Sequence, residues 1–285
     1  MRVEIDSKSG FCFGVVRAIN EAERALSSGG EVYSLGDIVH NRIEVLRLAS
    51  LGLKSIEREE LCNSELSKIL IRAHGEPPTT YAQARRMGLK IIDATCPVVA
   101  ALQKRVKKGY AQMQKIGGQV VLLGKRGHAE VVGLTGQVGD DVLVVEREAD
   151  LEAVDYTKPI YYISQTTQSI ALFNSLASIM FDRIEHKEEL FVHDTICRQV
   201  SSREDHLREF VANFDVVIFV CGKKSSNGKV LFEVCRAAKR STYNIEEAAE
   251  LDPTWFEGAE SVGICGATST PAWLMESVAE AVRNL

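Results

Sequence analysis

The sequence lacks long apolar runs and basic clusters. No apolar stretch approaches the roughly 20 residues that a helix needs to cross a bilayer. No basic run or basic-aromatic stripe stands out, and the net charge is −5. The start of the chain contains no apolar region typical of a secretion signal. We therefore expect a cytoplasmic protein that binds neither nucleic acid nor a membrane.

Closely spaced cysteine pairs are also absent. The chain contains 7 cysteines, and no two of them are separated by only two residues. Structural zinc sites usually show such pairs, so zinc is the less favoured metal, although it stays open as an alternative. Disulfides are rare in cytosolic proteins. An odd number of cysteines in such a protein needs an explanation other than a disulfide framework.

One cysteine followed by two polar loops is a pattern that occurs three times in the chain. Each cysteine lies between an apolar run and a helical pattern, and its distance from the first loop is nearly constant. Self-similarity at a regular period indicates repeated structural units. The predicted units are residues 1–95 with Cys12, His40 and His74, residues 96–193 with Cys96, His128, Glu130 and Thr166, and residues 194–285 with Cys197, Ser225, Asn227 and Ser269.

Short apolar runs alternate with helical patterns along the whole chain. Val120–Leu123 and Val216–Val220 are typical of buried parallel strands. The stretch Val98–Ile116 is typical of a helix, with Pro97 at its start and glycines after its end. Such alternation predicts an α/β protein. Since ligands bind beyond the carboxyl ends of parallel strands, we predict three similar small α/β lobes with mostly parallel sheets, arranged in pseudo-threefold fashion around one central site.

The three repeated cysteines favour an iron–sulfur site. A helix start carries positive potential, which stabilises the negative charge of thiolates and of the cluster itself. Clusters are usually held by four cysteines, so three would leave one iron open to a substrate oxygen. The alternative is that Cys12, Cys96 and Cys197 are buried small residues. The remaining cysteines are interpreted as core or surface filling, and they are Cys62, Cys221, Cys235 and Cys265.

The polar loops carry hydroxyl, amide and imidazole groups, which can surround a phosphate together with loop N–H groups. Glu130 is a candidate proton donor, because an anionic cluster and a phosphate nearby would raise its pKa. The alternatives are an ordinary turn at Ser225, structural histidines, and a surface or capping role for Glu130. The candidate phosphate-binding residues are His40, His74, His128, Thr166, Thr167, Ser225, Ser226, Asn227 and Ser269.

Together, these motifs resemble the LytB-type 4-hydroxy-3-methylbut-2-enyl diphosphate reductases. The resemblance follows the chain in order over essentially its whole length, although each motif alone is weak. The motifs are Gly-Phe-Cys12-Phe-Gly-Val, Val39-His40-Asn41, His74-Gly-Glu76, Asp93-Ala-Thr-Cys96-Pro, Gly127-His128-Ala-Glu130-Val, Gln165-Thr166-Thr167, Thr195-Ile-Cys197, Ser225-Ser226-Asn227 and Ser269-Thr-Pro271.

The resemblance implies a three-lobed fold around a central [4Fe–4S] cluster. Cys12, Cys96 and Cys197 would be its ligands, and Glu130 would relay protons. The polar loops would hold the substrate diphosphate, with His128 nearby. The implied reaction removes the allylic hydroxyl with two electrons and two protons, and yields isopentenyl and dimethylallyl diphosphates. The electrons would come from a ferredoxin or flavodoxin. An iron–sulfur hydro-lyase and a non-enzymatic iron–sulfur redox sensor are the rival hypotheses.

The chain departs from the family pattern at three places. Arg198-Gln199-Val200 follows the third cysteine, where the family commonly has a small residue and threonine. Lys229-Val230-Leu231 follows Asn227 after one glycine, and the last loop reads Gly266-Ala267-Thr268-Ser269. None of these departures removes a candidate ligand or donor. They bear on residues that support the site and on the choice of electron carrier.

Overall fold

A computed structural model describes residues 1–62 and 66–285, in which strands and helices alternate. The strands are β1 (Arg2–Ile5), β2 (Val32–Leu35), β3 (Leu53–Ile56), β4 (Lys68–Ile71), β5 (Lys90–Asp93), β6 (Gln119–Leu123), β7 (Leu143–Val145), β8 (Ile160–Ser164), β9 (Leu190–Val192), β10 (Val216–Val220), β11 (Thr242–Ile245) and β12 (Ser261–Gly266). The α-helices are α1 (Phe13–Ser27), α2 (Arg42–Ser50), α3 (Pro78–Arg86), α4 (Pro97–Ile116), α5 (Ala129–Thr135), α6 (Ile170–Arg183), α7 (Arg198–Val211), α8 (Ser226–Ala238) and α9 (Ala272–Arg283). Short 3₁₀ helices cover Arg58–Cys62, Gly136–Val138, Glu148–Ala153, Lys187–Glu189, Ala248–Glu250 and Pro253–Phe256.

In the described residues, the strands form three four-stranded sheets with the orders β1-β12-β10-β11, β3-β2-β4-β5 and β7-β6-β8-β9. The pairings of β12 with β1 and β10, of β4 with β2 and β5, and of β8 with β6 and β9 are parallel. The predicted α/β class with three parallel sheets is therefore confirmed.

The strand before each repeated cysteine has an equivalent place in the three sheets. β1, β5 and β9 each lie at a sheet edge, and each leads to Cys12, Cys96 or Cys197. Their neighbours β12, β4 and β8 are internal strands. The first strand of the chain thus completes the sheet of the last three strands, a pairing that the sequence pattern did not predict.

The chain forms two compact units. The first contains Met1–Val32, Gly36–Ser55 and Arg198–Leu285, and the second contains Tyr33–Leu35 and Ile56–Cys197. The sheet of β1, β12, β10 and β11 lies in the first unit, whereas β4 to β9 lie in the second. The division at residues 95/96 and 193/194 that the repeats suggested stays a prediction.

Local sequence explains most element boundaries. Helix α4 begins at Pro97 and ends before Gly117, whose φ of 68° is the left-handed conformation that glycine adopts most easily. The helix predicted over Ser201–Phe214 begins three residues earlier, at Arg198. The helix ends at Val211 and not at Phe214, and the Asn213 side-chain amide donates to the carbonyls of Glu209, at 2.8 Å, and Phe210, at 3.5 Å, near its end.

Three of the four cysteines outside the repeat are core residues, as the sequence predicted. Cys221, Cys235 and Cys265 are buried in one apolar cluster. Burial raises the pKa of the Cys221 thiol to about 12, so this thiol stays protonated. Cys62 is exposed, and its sulfur accepts a hydrogen bond from Gln83 at 3.0 Å. None of the helices in residues 1–62 and 66–285 is both long and apolar enough to cross a membrane.

Candidate functional site

The three repeated cysteines share one local geometry. Each lies directly before a helix, and its backbone N–H donates to a carbonyl two residues past the end of the neighbouring strand. This shared bond holds each cysteine between a helix start and the carboxyl end of a parallel strand. The three bonds join Cys12 to Thr268 at 3.1 Å, Cys96 to Ala73 at 3.0 Å, and Cys197 to Thr166 at 2.8 Å.

The three thiols have the chemistry that an iron–sulfur cluster requires. None of the three takes part in a disulfide within residues 1–62 and 66–285, and all three are only partly buried. Cys12 and Cys96 are the N-cap residues of their helices, and neither side chain makes a capping hydrogen bond. Thiolate sulfur is the ligand that iron–sulfur clusters prefer. Positive potential at a helix start stabilises the negative charge of the thiolate and of the cluster. The donor set therefore fits such a cluster.

Glu130 is buried in the second unit and held by Thr166. Its side chain is on the first turn of α5, and the residue is 2% exposed. One carboxylate oxygen accepts the Thr166 N–H and the other accepts its hydroxyl, both at 2.7 Å. Burial raises the pKa of Glu130 to about 7, although the two bonds from Thr166 act in the opposite direction. The surface and capping alternatives for Glu130 are therefore wrong.

Two of the candidate histidines lie together in the second unit. His74 and His128 are half-buried, and their rings meet edge to face with centroids 5.4 Å apart. His128 is the N-cap of α5, and its Nδ1 accepts the N–H of Glu130 at 3.1 Å. A neutral His128 therefore carries its proton on Nε2, which can donate to a ligand. His74 directly follows Ala73, whose carbonyl binds Cys96.

Other polar residues of the second unit have partners within the protein. Thr167 is half-buried and accepts a hydrogen bond from the Gln165 amide at 3.1 Å. The buried Glu76 carboxylate forms an ion pair with Arg58 at 2.7 Å. The Glu76 carboxylate is therefore held by Arg58. Thr167 lies next to Thr166 on the loop that follows β8.

Asn227 has a fixed orientation in the first unit. Its Oδ1 accepts both the N–H of Thr268, at 3.0 Å, and the Thr268 hydroxyl, at 2.7 Å. Since a backbone N–H must face the amide oxygen, Nδ2 points the other way. Nδ2 is buried and has no hydrogen-bond partner within residues 1–62 and 66–285. A buried donor without an acceptor indicates a ligand position.

Thr268 links Asn227 to Cys12, because its carbonyl accepts the Cys12 N–H. Sequence patterns marked Thr268 only as one of the residues that depart from the family pattern. Its hydroxyl supplies one of the two bonds that orient the Asn227 amide. The signal that could have identified Thr268 is its position, which matches those of Ala73 and Thr166 after their strands.

Ser225, Ser269 and His40 lie on loops of the first unit. Ser225 is the N-cap of α8 and not part of the ordinary turn that was the alternative, and its hydroxyl accepts the Gly228 N–H at 2.9 Å. The same hydroxyl lies 3.2 Å from that of Ser269. A Cβ atom at Gly222 would lie 2.2 Å from the His40 carbonyl oxygen, so these two loops touch through their backbones. Ser226 is half-buried at the first position of α8.

A buried carboxylate joins the His40 and Ser269 loops. Glu44 is fully buried on α2, and its two oxygens accept from Arg47 at 2.6 and 2.9 Å. Trp273, on the first turn of α9, donates its indole N–H to Glu44 at 3.3 Å. This contact connects the helix that follows His40 with the helix that follows Ser269. Sequence patterns did not identify Glu44, because a glutamate on a helix usually faces solvent.

Replacing Glu44 by glutamine is expected to lower the free energy of unfolding by about 1.5–3 kcal/mol, because hydrogen bonds from Arg47 to a buried charged carboxylate are lost. Urea unfolding measures this change. Glu23→Gln is the matched control, since Glu23 is the other partner of Arg47 and is more exposed. We expect the control to lose less than about 1 kcal/mol. Equal losses in the two variants would contradict the role of Glu44.

Comparisons with known proteins found similar proteins over the whole length of the chain. A family model described as "LytB protein" matches residues 3–283. A Bacteroides thetaiotaomicron protein named 4-hydroxy-3-methylbut-2-enyl diphosphate reductase is 47% identical over 285 residues, covering 100% of this chain and 99% of its own. A Parabacteroides distasonis protein of the same name is 48% identical, with coverages of 100% and 98%.

Solved structures are similar as well. A structure of (E)-4-hydroxy-3-methyl-but-2-enyl diphosphate reductase, described as the terminal enzyme of the non-mevalonate pathway, has a TM-score of 0.73 and 34% identity, with full coverage of both chains. A structure of the E-1-hydroxy-2-methyl-but-2-enyl-4-diphosphate reductase from Plasmodium falciparum has a TM-score of 0.86 at 24% identity, and the match covers 100% of this chain and 87% of that one. The second similarity concerns the fold alone.

Proposed function

The chain belongs to the LytB protein family, and we propose that it reduces 4-hydroxy-3-methylbut-2-enyl diphosphate to isopentenyl and dimethylallyl diphosphates. This reaction is the last step of the non-mevalonate isoprenoid pathway, and we place it in the cytoplasm. The observation that carries the proposal is the recurrence of one partly buried cysteine, held by the same backbone bond, at a helix start beside each of the three sheets. An ordinary core cysteine requires no such recurrence.

Iron–sulfur dependence is general in this family, and the proposed cofactor is a [4Fe–4S] cluster bound by Cys12, Cys96 and Cys197. When bound, the cluster supplies electrons and one electrophilic iron that lacks a protein ligand. The residues of the chain perform the remaining tasks. They bind the diphosphate, orient the allylic hydroxyl, and hold the proton that leaves with it.

The diphosphate-binding residues are hydrogen-bond donors of modest charge. The Nδ2 of Asn227 is the best defined of them, because its orientation is fixed and it is buried without a partner within the described part of the chain. A well-placed hydrogen bond to a charged phosphate contributes about 1.5–3 kcal/mol. Several such bonds can hold a diphosphate without an arginine clamp. The proposed set is His40, His74, His128, Thr166, Thr167, Ser225, Ser226, Asn227 and Ser269.

Asn227→Asp is expected to raise KM for the allylic diphosphate about 10- to 100-fold, which corresponds to about 1.4–3 kcal/mol. The change keeps both acceptor bonds from Thr268 and replaces the donor Nδ2 with a negatively charged oxygen. Steady-state kinetics with a chemical reductant measure the effect. Asn20→Asp is the matched control, since it adds the same charge at an exposed position of α1. An unchanged KM in Asn227→Asp would remove Asn227 from the proposed set.

Glu130 is the proposed proton donor. With a pKa of about 7, a large fraction of its carboxyl groups is protonated at neutral pH. The protonated group can donate to the Thr166 hydroxyl, 2.7 Å away. That hydroxyl is then free to donate its own proton towards a bound substrate. Such a relay delivers a proton without opening the interior to water, and protonation lets the allylic hydroxyl leave as water.

Product analysis under anaerobic conditions tests the proposed function. Purified protein with dithionite-reduced methyl viologen should convert the allylic diphosphate into the two C5 diphosphates, and without the reductant it should form neither. Conversion without a reductant would favour the rival hydro-lyase. Absence of both conversion and diphosphate binding would favour the redox sensor. One mole of bound zinc per mole of purified protein would refute the proposed cofactor. We propose a ferredoxin or flavodoxin as the physiological electron donor.

A further inference from the structure

A surface cleft of about 320 Å³ opens beside Cys12 in the first unit. Cys12 lines the cleft, so one proposed cluster ligand borders on solvent at this place. The cleft lies between the β1–α1 loop and one face of α7. Among its other lining residues are Lys8, Phe11, Phe13, Arg203 and His206.

The cleft is both apolar and cationic. Phe13 is 59% exposed and Val16, on the next turn of α1, is 40% exposed. Large exposed apolar side chains side by side mark interaction surfaces more often than single ones do. Arg17 is four residues after Phe13 and therefore lies on the same face of α1. Phe13, Lys8 and Arg203 line the cleft, so apolar contact area and positive charge occur together there. Val16 and Arg17 extend the Phe13 face of α1 beyond it.

The charge of the cleft opposes that of the whole chain, which is −5. Lys8 is exposed, and no carboxylate of the described residues lines the cleft. The acidic residues that follow Arg203 on α7 are engaged elsewhere, since Glu204 and Asp205 both form ion pairs with Arg208. An acidic partner would therefore meet a locally positive surface on an otherwise acidic protein.

Partly buried hydrogen bonds fix the loop that forms the cleft. The Asp6 carboxylate is buried, accepts the Ser9 hydroxyl at 2.6 Å, and lies 2.6 Å from the His206 ring. Ser9 in turn accepts the N–H of Gly266 at 3.0 Å. These bonds attach the loop to α7 and to β12. The surface is therefore preorganised, which lowers the entropic cost of binding a partner.

Gln199 joins the two helices that border the cleft. Its side-chain oxygen accepts the N–H of Phe13, the first residue of α1, at 3.2 Å. Gln199 is one of the residues at which the chain departs from its family pattern. The departure thus fixes α7 against the start of α1, next to Cys12.

We infer that this cleft docks an acidic electron-carrier protein whose redox group lies near its surface, and that electrons enter beside Cys12. The inference rests on the proposed function, since it assigns a docking surface to the electron donor of that reaction. Electron transfer requires the two redox groups to approach closely, and the cleft is a place where a proposed ligand meets solvent. Complexes between electron-transfer proteins have small interfaces and are transient, and opposite charges on the two surfaces steer their formation.

Lys8→Glu and Arg17→Glu test the docking surface. The probe is a purified acidic plant-type ferredoxin, with dithionite-reduced methyl viologen as the small-molecule donor. We expect the double variant to lower kcat/KM for the ferredoxin at least about tenfold at low salt. Its viologen-supported turnover should stay within about twofold of wild type, because a small donor needs no docking surface. The dissociation constant of the oxidised ferredoxin, measured by calorimetry, should rise to a similar extent.

Arg240→Glu is the matched control. Arg240 is exposed and precedes β11, so it lies at the opposite edge of the same parallel sheet. This variant should match wild type with both donors. Unchanged ferredoxin kinetics and affinity in the double variant would overturn the inference, and so would an equal loss with both donors. Absence of viologen-supported turnover in wild type would instead refute the proposed function, while calorimetry would still test the docking surface.

Discussion

Replacing Glu130 by glutamine is expected to lower kcat about 10²- to 10⁴-fold, the range typical for loss of a general acid. Glutamine is nearly isosteric, and its oxygen can still accept one of the two bonds from Thr166. It cannot deliver a proton. We therefore expect the variant to fold, to keep its cluster absorbance, and to bind the allylic diphosphate with little change in affinity. Single-turnover kinetics with reduced viologen measure the effect on the chemical step.

The control for this experiment is Glu152→Gln. Glu152 lies in the same unit as Glu130, but its side chain is 80% exposed and pairs with Arg183. We expect wild-type turnover in the control. If Glu130→Gln turns over at the wild-type rate, Glu130 is not the proton donor. If it loses the cluster as well, its role is structural, and the assignment of a proton relay is wrong.

The raised pKa of Glu130 also predicts two pH dependences. Turnover that needs the protonated carboxyl should fall as pH rises above about 7, and Glu130→Gln should lose this inflection.

Between pH 4.5 and about 7 the folded protein keeps a proton on Glu130 that the unfolded chain has released. The free energy of unfolding should therefore decrease as pH rises through this interval, by about 3 kcal/mol at most. Urea unfolding of both proteins across this interval measures the difference.

Cys12→Ala, Cys96→Ala and Cys197→Ala are each expected to lose nearly all cluster iron, sulfide and brown absorbance. A cluster that keeps only two protein thiolates lacks a third anchor, and the repeated backbone bond gives no reason for one cysteine to matter less. Iron and sulfide analysis after anaerobic reconstitution measures the loss. Cys62→Ala is the matched control, because Cys62 is exposed and lies outside the repeat. Full iron content in one of the three variants would remove that cysteine as a ligand.

The sequence predicted the parts of the fold that depend on local patterns. Val216–Val220 is a strand with the predicted bounds, and α4 runs from the proline to the glycines that were expected to limit it. Pro97 and Gly117 act through their own backbone preferences, so no tertiary contact is needed to place them. The position of each repeated cysteine between a strand and a helix follows from the same local signals.

Long-range pairings could not be predicted in the same way. The parallel pairing of β1 with β12 joins the two ends of the chain, and no local pattern specifies it. The bonds from Thr268 to Asn227, and from Thr166 to Glu130, likewise depend on which loops the sheets bring together. Glu130 was predicted as a proton donor because of nearby negative charge. In the structure, burial is the main cause of its raised pKa.

Mössbauer spectroscopy of isotopically enriched protein, with and without the allylic diphosphate, tests the central claim most directly. Three cysteine ligands on a cluster of four irons should leave one iron that differs from the rest, and its signal alone should change when the diphosphate is added. Four equivalent irons that do not respond to the diphosphate would contradict a three-thiolate cluster that acts on this substrate.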